Sequence, residues 1–170
     1  MAIAVATLPG CDSSASSTGA CTAKDVTLQL GQPVPDGGQY LIDVFISNVG
    51  KAPCTIDQRP TVQLQNDDTT TNARTTLAIA PSGVDGNTSG STTTTQLVVP
   101  GGGSVIASLT YLAGPDAACD ANGAWVPTRM AVTPAEGLQL TAGWPGQSVD
   151  DCQEGNPNPG NVIGPFAISK

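Results

Sequence analysis

The chain has 170 residues, of which 39% are hydrophobic and only 4% aromatic, with Gly 20, Pro 14 and a formal net charge of −8. Its 6 Lys and Arg residues are scattered singly, which argues against a nucleic-acid partner, because phosphate binding draws on clustered cations. Histidine is absent, which removes the commonest metal ligand and every Ser-His-Asp or Cys-His catalytic arrangement.

Residues 3–8 form a short apolar run, followed by Pro9, Gly10 and Cys11. An apolar stretch ahead of small residues is the pattern of an export signal. Leu8-Pro9-Gly10-Cys11 resembles the bacterial lipoprotein box, in which the Cys receives the lipid, although no Lys or Arg precedes the run. Cys11 is therefore the expected lipidation site. Residues 12–20, DSSASSTGA, have the composition of a flexible tether. The expected organisation is a signal remnant and tether over residues 1–20 and one folded domain over residues 21–170. No stretch approaches the roughly 18 consecutive apolar residues of a membrane-spanning helix, so membrane contact is expected only through the lipid.

Cys21, Cys54, Cys119 and Cys152 remain, and four cysteines allow three pairings. Their spacing suggests two non-overlapping loops, Cys21–Cys54 and Cys119–Cys152, each spanning 33 positions. No Cys-x-x-Cys pair is present and no His assists, so disulfides outweigh a metal site. Disulfides persist in oxidising compartments, which agrees with export to the outer face of the membrane or beyond.

Short runs of alternating character follow, and Gly and Pro punctuate nearly all of them. Residues 25–30, DVTLQL, put Val26, Leu28 and Leu30 on one face. Residues 39–48, QYLIDVFISN, put Tyr40, Ile42, Val44 and Ile46 on one face and Leu41, Asp43, Phe45 and Ser47 on the other. A period of two marks a half-buried strand. Residues 61–65 place Val62 and Leu64 inward, and residues 77–80 and 96–99 read as a facing pair around a long insertion. Residues 104–112 are again strand-like. Residues 125–132 and 138–142 follow, with a turn containing Pro134 between them. Residues 162–169 close the series, with Pro165 implying a bulge or an edge. About nine short strands with turn residues between them favour an all-β, immunoglobulin-like antiparallel sandwich with two disulfides. Residues 66–76 and 82–96 read as irregular loops, the second a mobile one. Within the second, Asn87-Thr88-Ser89 matches the glycosylation acceptor pattern only by chance for a bacterial lipoprotein.

Several segments together resemble the exported actinobacterial family known as "domain of unknown function 4232". The resemblance rests on Cys21-Thr22-Ala23-Lys24-Asp25-Val26, on residues 40–48, and on the phrase running from Asn48 through Gly50 to Cys54-Thr55-Ile56. It continues through Pro60-Thr61-Val62-Gln63-Leu64, Val99-Pro100-Gly101-Gly102, Cys119, Val132-Thr133-Pro134, Cys152 and Gly164-Pro165. Where the family commonly has Gly-Tyr-Pro, this chain has Gln58-Arg59-Pro60, so no role of that tyrosine carries over. The resemblance implies a secreted or lipid-anchored β-sandwich and brings no catalytic residues.

Candidate sites are few. The acidic pairs Asp67-Asp68 and Asp150-Asp151, the latter near Glu154, lack a calcium-loop pattern and read as solvated loops. Trp125 reads as a core residue. Trp144, in Ala142-Gly143-Trp144-Pro145-Gly146, reads as a turn residue and is the preferred ligand contact. Thr92 to Thr95 read as a solvated strand or loop. No catalytic, cofactor or metal site is expected. The expected function is binding of an envelope protein or glycan. A structural role in a surface filament or particle is the alternative, and a carboxylate-based hydrolase is disfavoured.

Overall fold

The computed structural model describes residues 18–66, 76–82, 95–113, 126–149 and 161–169. In chain order its strands are β1 (Val26–Leu30), β2 (Val34–Asp36), β3 (Gln39–Asn48), β4 (Cys54–Asp57), β5 (Thr61–Gln65) and β6 (Thr76–Pro81). They continue with β7 (Gln96–Val99), β8 (Ser104–Tyr111), β9 (Arg129–Ala135), β10 (Leu138–Gly143), β11 (Val162–Ile163) and β12 (Ala167–Ile168). The described residues hold strands and turns without helix, as the composition predicts.

The spine of the fold is the antiparallel pair β3 and β8. The register sets Ile42 opposite Leu109, Val44 opposite Ala107 and Ile46 opposite Val105, and all six side chains are buried. Each branched aliphatic among them stabilises the fold by about 1.5–3 kcal/mol through removal from water. The opposite face is mixed: on either side of the Phe45–Ile106 pair, the Ser108 hydroxyl donates to Asp43 Oδ1 at 3.0 Å and the Ser47 and Ser104 hydroxyls lie 2.8 Å apart. β1 and β2 pair with β3, and β12 pairs with β8. A second antiparallel group runs β6-β5-β9-β10. Here Val62 faces both Val132 and Ile79, and Leu64 faces both Met130 and Leu77.

β11 joins the two groups, pairing antiparallel with β8 and parallel with β6. The result is one 10-stranded sheet that curls until its two end strands, β1 and β10, come into contact. A separate two-stranded sheet, β4 and β7, sets Cys54 opposite Val99 and Ile56 opposite Leu97.

Three expectations need correction. Residues 77–80 and 96–99 are not a facing pair: β6 pairs with β5 and β11, whereas β7 pairs with β4. The period-two pattern identified both strands but carried no information about partners. Pro134 is not in the turn. It lies buried inside β9, where Thr133 and Pro134 together oppose the single residue Gln139 across a register shift, a bulge that tolerates the missing N–H. The reversal itself falls at Glu136 and Gly137. Residues 162–169 are two strands rather than one, because Pro165 interrupts pairing between β11 and β12.

Asn48, at the end of β3, is 1% exposed, and its hydrogen-bonding groups find partners in three segments. Its side-chain NH2 donates to the carbonyls of Ala52 at 2.9 Å and Val99 at 3.1 Å. Its Oδ1 accepts the Gly50 N–H at 2.9 Å. Its own N–H donates to the Gly103 carbonyl at 2.9 Å, and its carbonyl accepts the Gly102 N–H at 2.9 Å. The turn at Pro100 to Gly103 thereby packs so closely on the 49–53 loop that a Cβ at Gly101 would lie 2.2 Å from the Lys51 carbonyl oxygen.

The Cys21–Cys54 bridge is formed, with S–S 2.04 Å. Backbone bonds flank it: the Cys21 N–H donates to the Thr55 carbonyl and the Thr55 N–H to the Gly19 carbonyl, both at 2.9 Å. Ala20 and Thr55 thus form a parallel bridge, and the last residues assigned to the tether belong to the fold. Just beyond, the Asp25 carboxylate accepts the Thr22 hydroxyl and, at 3.2 Å, the Thr22 N–H. The hydroxyl bond, chiefly, holds the Asp25 pKa below the ordinary carboxylate value. Cys11, residues 12–17, Cys119, Cys152 and residues 83–94 of the second irregular loop lie outside the described residues.

Two outcomes follow for stability. Replacing both Cys21 and Cys54 by Ser removes a 33-residue closure, and the denaturation midpoint should fall by the equivalent of about 3–4 kcal/mol in the chain-entropy account. Asn48→Ala leaves the buried Val99 carbonyl and the part-buried Ala52 carbonyl and Gly50 N–H without their side-chain partner, and should lower stability by about 2 kcal/mol in urea titration. A loss near zero would contradict the network.

Candidate functional site

Aromatic side chains are scarce in this chain, and three of them converge at one end of the sheet. The β3–β8 register places Tyr40 directly opposite Tyr111. Their rings stack with centroids 5.6 Å apart and planes 25° from parallel. Trp144 follows β10, where its N–H donates to the Thr128 carbonyl at 3.0 Å. Its ring meets Tyr111 edge-on at 5.1 Å and 65°, a favoured arrangement of ring quadrupoles. The indole Nε1–H donates to the Gln147 carbonyl at 3.0 Å. Farther on, Val149 bridges to Ala113, so the 144–148 turn is held at both ends.

Gly146 lies flat on this cluster. A Cβ there would sit 2.7 Å from Trp144 Cε2 and Cζ2 and 2.7 Å from the Tyr111 hydroxyl oxygen. Only glycine fits so close an approach. Tyr40 and Trp144 are half-buried, whereas Tyr111 is 0% exposed. The Tyr111 hydroxyl is buried without a hydrogen-bond partner, and the backbone of Gln147 approaches it without completing a bond. Burial pushes the Tyr111 pKa above the ordinary value, and the neighbouring Tyr40 adds to the rise against the opposing effect of the Gln147 backbone.

The expected contact Trp144 is therefore part of a built cluster rather than a free surface ring. Sequence reading missed Tyr40 and Tyr111 as its partners. Both stand on well-marked strands, but only the register between those strands brings them together. Trp125, Asp67, Asp68, Asp150, Asp151, Glu154, Asn87 and Thr92 lie outside the described residues. Among the described residues, no three of His, Cys, Asp and Glu lie close enough to hold a metal ion, and no helix is long and apolar enough to cross a membrane.

The profile of the family described as "Domain of unknown function (DUF4232)" matches residues 21–162, and the chain belongs to that family. Comparison with the curated proteins and with the solved structures finds no match. At the position where the family commonly has tyrosine, Arg59 is exposed and its Nη1 donates to the Ser82 carbonyl at 2.6 Å. It ties the end of β6 to the loop ahead of β5.

Because its hydroxyl is desolvated and unpaired, Tyr111→Phe should raise stability by about 1 kcal/mol, read as a higher melting temperature. The pH dependence has a definite sign. The folded state holds the phenolic proton more tightly than the unfolded chain, so the stability linked to it is complete below the ordinary tyrosine value of 10.0. It is lost as pH rises past that value through the higher folded pKa. The alkaline loss should shrink in Tyr111→Phe.

Proposed function

We propose that this chain is an exported module of the bacterial cell envelope, anchored by a lipid on Cys11, that works by binding rather than by catalysis. The Cys21–Cys54 bridge is the observation that carries this reading. Such bridges persist outside the cytosol and are rare within it. Its position, immediately after the residues that would lead from a lipidated Cys11, suits a domain held at the end of a tether. The half-buried Tyr40 and Trp144 rings provide a contact surface with amphipathic edges. The partner is an envelope protein or glycan.

In the finer description, we read the fold as an immunoglobulin-like antiparallel sandwich. β1, β2, β3, β8 and β12 form one layer, β5, β6, β9 and β10 form the other, and Cys119–Cys152 is the second bridge. A role in a filament or particle ranks below binding. The edge strands β2 and β12 are 3 and 2 residues long, and Pro35 lies in β2, which blunts strand pairing between copies.

Fractionation of the native host tests the proposal. The chain is expected in the envelope fraction, with Cys21 and Cys54 unreactive toward a thiol reagent until reduction. A metabolic lipid label should appear on it and be lost in Cys11→Ser. Recovery from the cytosol with free thiols on Cys21 and Cys54 would overturn the reading.

A further inference from the structure

We infer that the 144–147 turn is a displaceable cap over Tyr111 and that the site beneath it takes a neutral saccharide. The inference deepens the binding role proposed above and rests on it. Native interiors pair nearly all their polar groups, and each exception calls for a reason. Tyr111 is such an exception: 0% exposed, with an unpartnered hydroxyl. Phenylalanine would keep the contacts of the ring with Tyr40 and Trp144 and remove the stranded group. Retaining the hydroxyl makes sense when another state of the protein uses it.

The turn that covers it is short and is tied down at its ends, by the Trp144 N–H on Thr128 and by the Val149 bridge to Ala113. Between them, the bond from Trp144 Nε1 to the Gln147 carbonyl spans the turn; opening exchanges it for water and leaves the indole against Tyr111. Gly146 rests directly against the Tyr111 hydroxyl. Lifting Gly146 bares a phenol between two further rings.

The groups assembled there are neutral: three aromatic rings, one phenolic hydroxyl and the exposed Gln147 amide. A pyranose ring offers a complementary surface. Its C–H face is apolar and packs on an aromatic ring, while its hydroxyl groups both donate and accept. An ionic ligand would find no counter-charge on these residues. A sugar hydroxyl gives Tyr111 the partner it lacks in the closed state, so the ligand favours the open state by the differential interaction that a shift of population requires.

The test uses cellotetraose, maltotetraose and chitotetraose. Trp144 emission is followed in a Trp125→Phe background, and calorimetric titration of the unsubstituted chain reads the affinity independently. At least one tetrasaccharide is expected to bind. Tyr111→Phe should bind it about tenfold more weakly, equivalent to about 1.4 kcal/mol, while melting at a higher temperature. A purely structural tyrosine would change melting alone. Gly146→Ala, whose methyl group would overlap the Trp144 ring and the Tyr111 hydroxyl in the closed turn, should bind several-fold more tightly, because the open state is populated in advance. Absence of binding to all three sugars, unchanged affinity in Tyr111→Phe, or unimproved affinity in Gly146→Ala would overturn the inference. If those results came with a lipid-labelled, bridged chain in the envelope fraction, the saccharide assignment would fall and the envelope role would stand. Saccharide binding by a cytosolic chain with free thiols would reverse that outcome.

Discussion

Asn48 is the constraint on which the described fold turns. A single buried side chain satisfies one N–H and two carbonyls that come from separate segments of the chain. Its backbone groups meanwhile lock the turn ahead of β8. Those bonds fix where β3 ends, how the loop to β4 folds back and where β7 stops. β4 and β7 have few residues of their own, and their pairing depends on this junction. An aliphatic residue would supply comparable volume and leave the buried Val99 carbonyl without this partner. A carboxylate would turn acceptors toward acceptors. Asparagine is the side chain that offers both a donor pair and an acceptor at that length.

Much of the architecture was legible in the sequence because it follows from local alternation. β3, β5 and β7 begin and end where their apolar periodicity does, since one face of each is buried more deeply than the other. The Cys21–Cys54 pairing was legible from spacing. What escaped was everything set by register or by partner choice. β2 exposes all 3 of its residues and so has no pattern to detect. β4 is buried throughout its first 3 residues, which removes the alternation that would mark it as a strand. Pro134 looked like a turn residue because its lost donor is harmless in a bulge as well as in a loop. The aromatic site was half legible: Trp144 stood out by its rarity, whereas Tyr40 and Tyr111 looked like ordinary residues at the margins of strands.

That aromatic site differs in kind from the core beside it. In the core, the facing partners of the spine and of the second group are apolar, as in Ile42 with Leu109 or Val62 with Val132. Under the 144–147 turn, a polar atom is enclosed without a match. The mismatch is local. It is bordered by the tightly packed β3–β8 spine on one side and by a short glycine-containing turn on the other. Motion there would leave the rest of the sheet undisturbed, because the turn contributes no strand pairing between Trp144 and Ser148.

The sulfur bridge also governs how the domain responds to being pulled. Tension arriving from upstream of Cys21 passes through the bridge into β4 and bypasses the 33-residue span that contains β1, β2 and β3. Those strands cannot be peeled away one hydrogen bond at a time from that side. The strain falls instead on the parallel contact between Ala20 and Thr55 and on the ladder between β4 and β7. The cross-link therefore acts as a mechanical shunt, keeping β1, β2 and β3 out of the force path whenever the chain is stretched from its leading end.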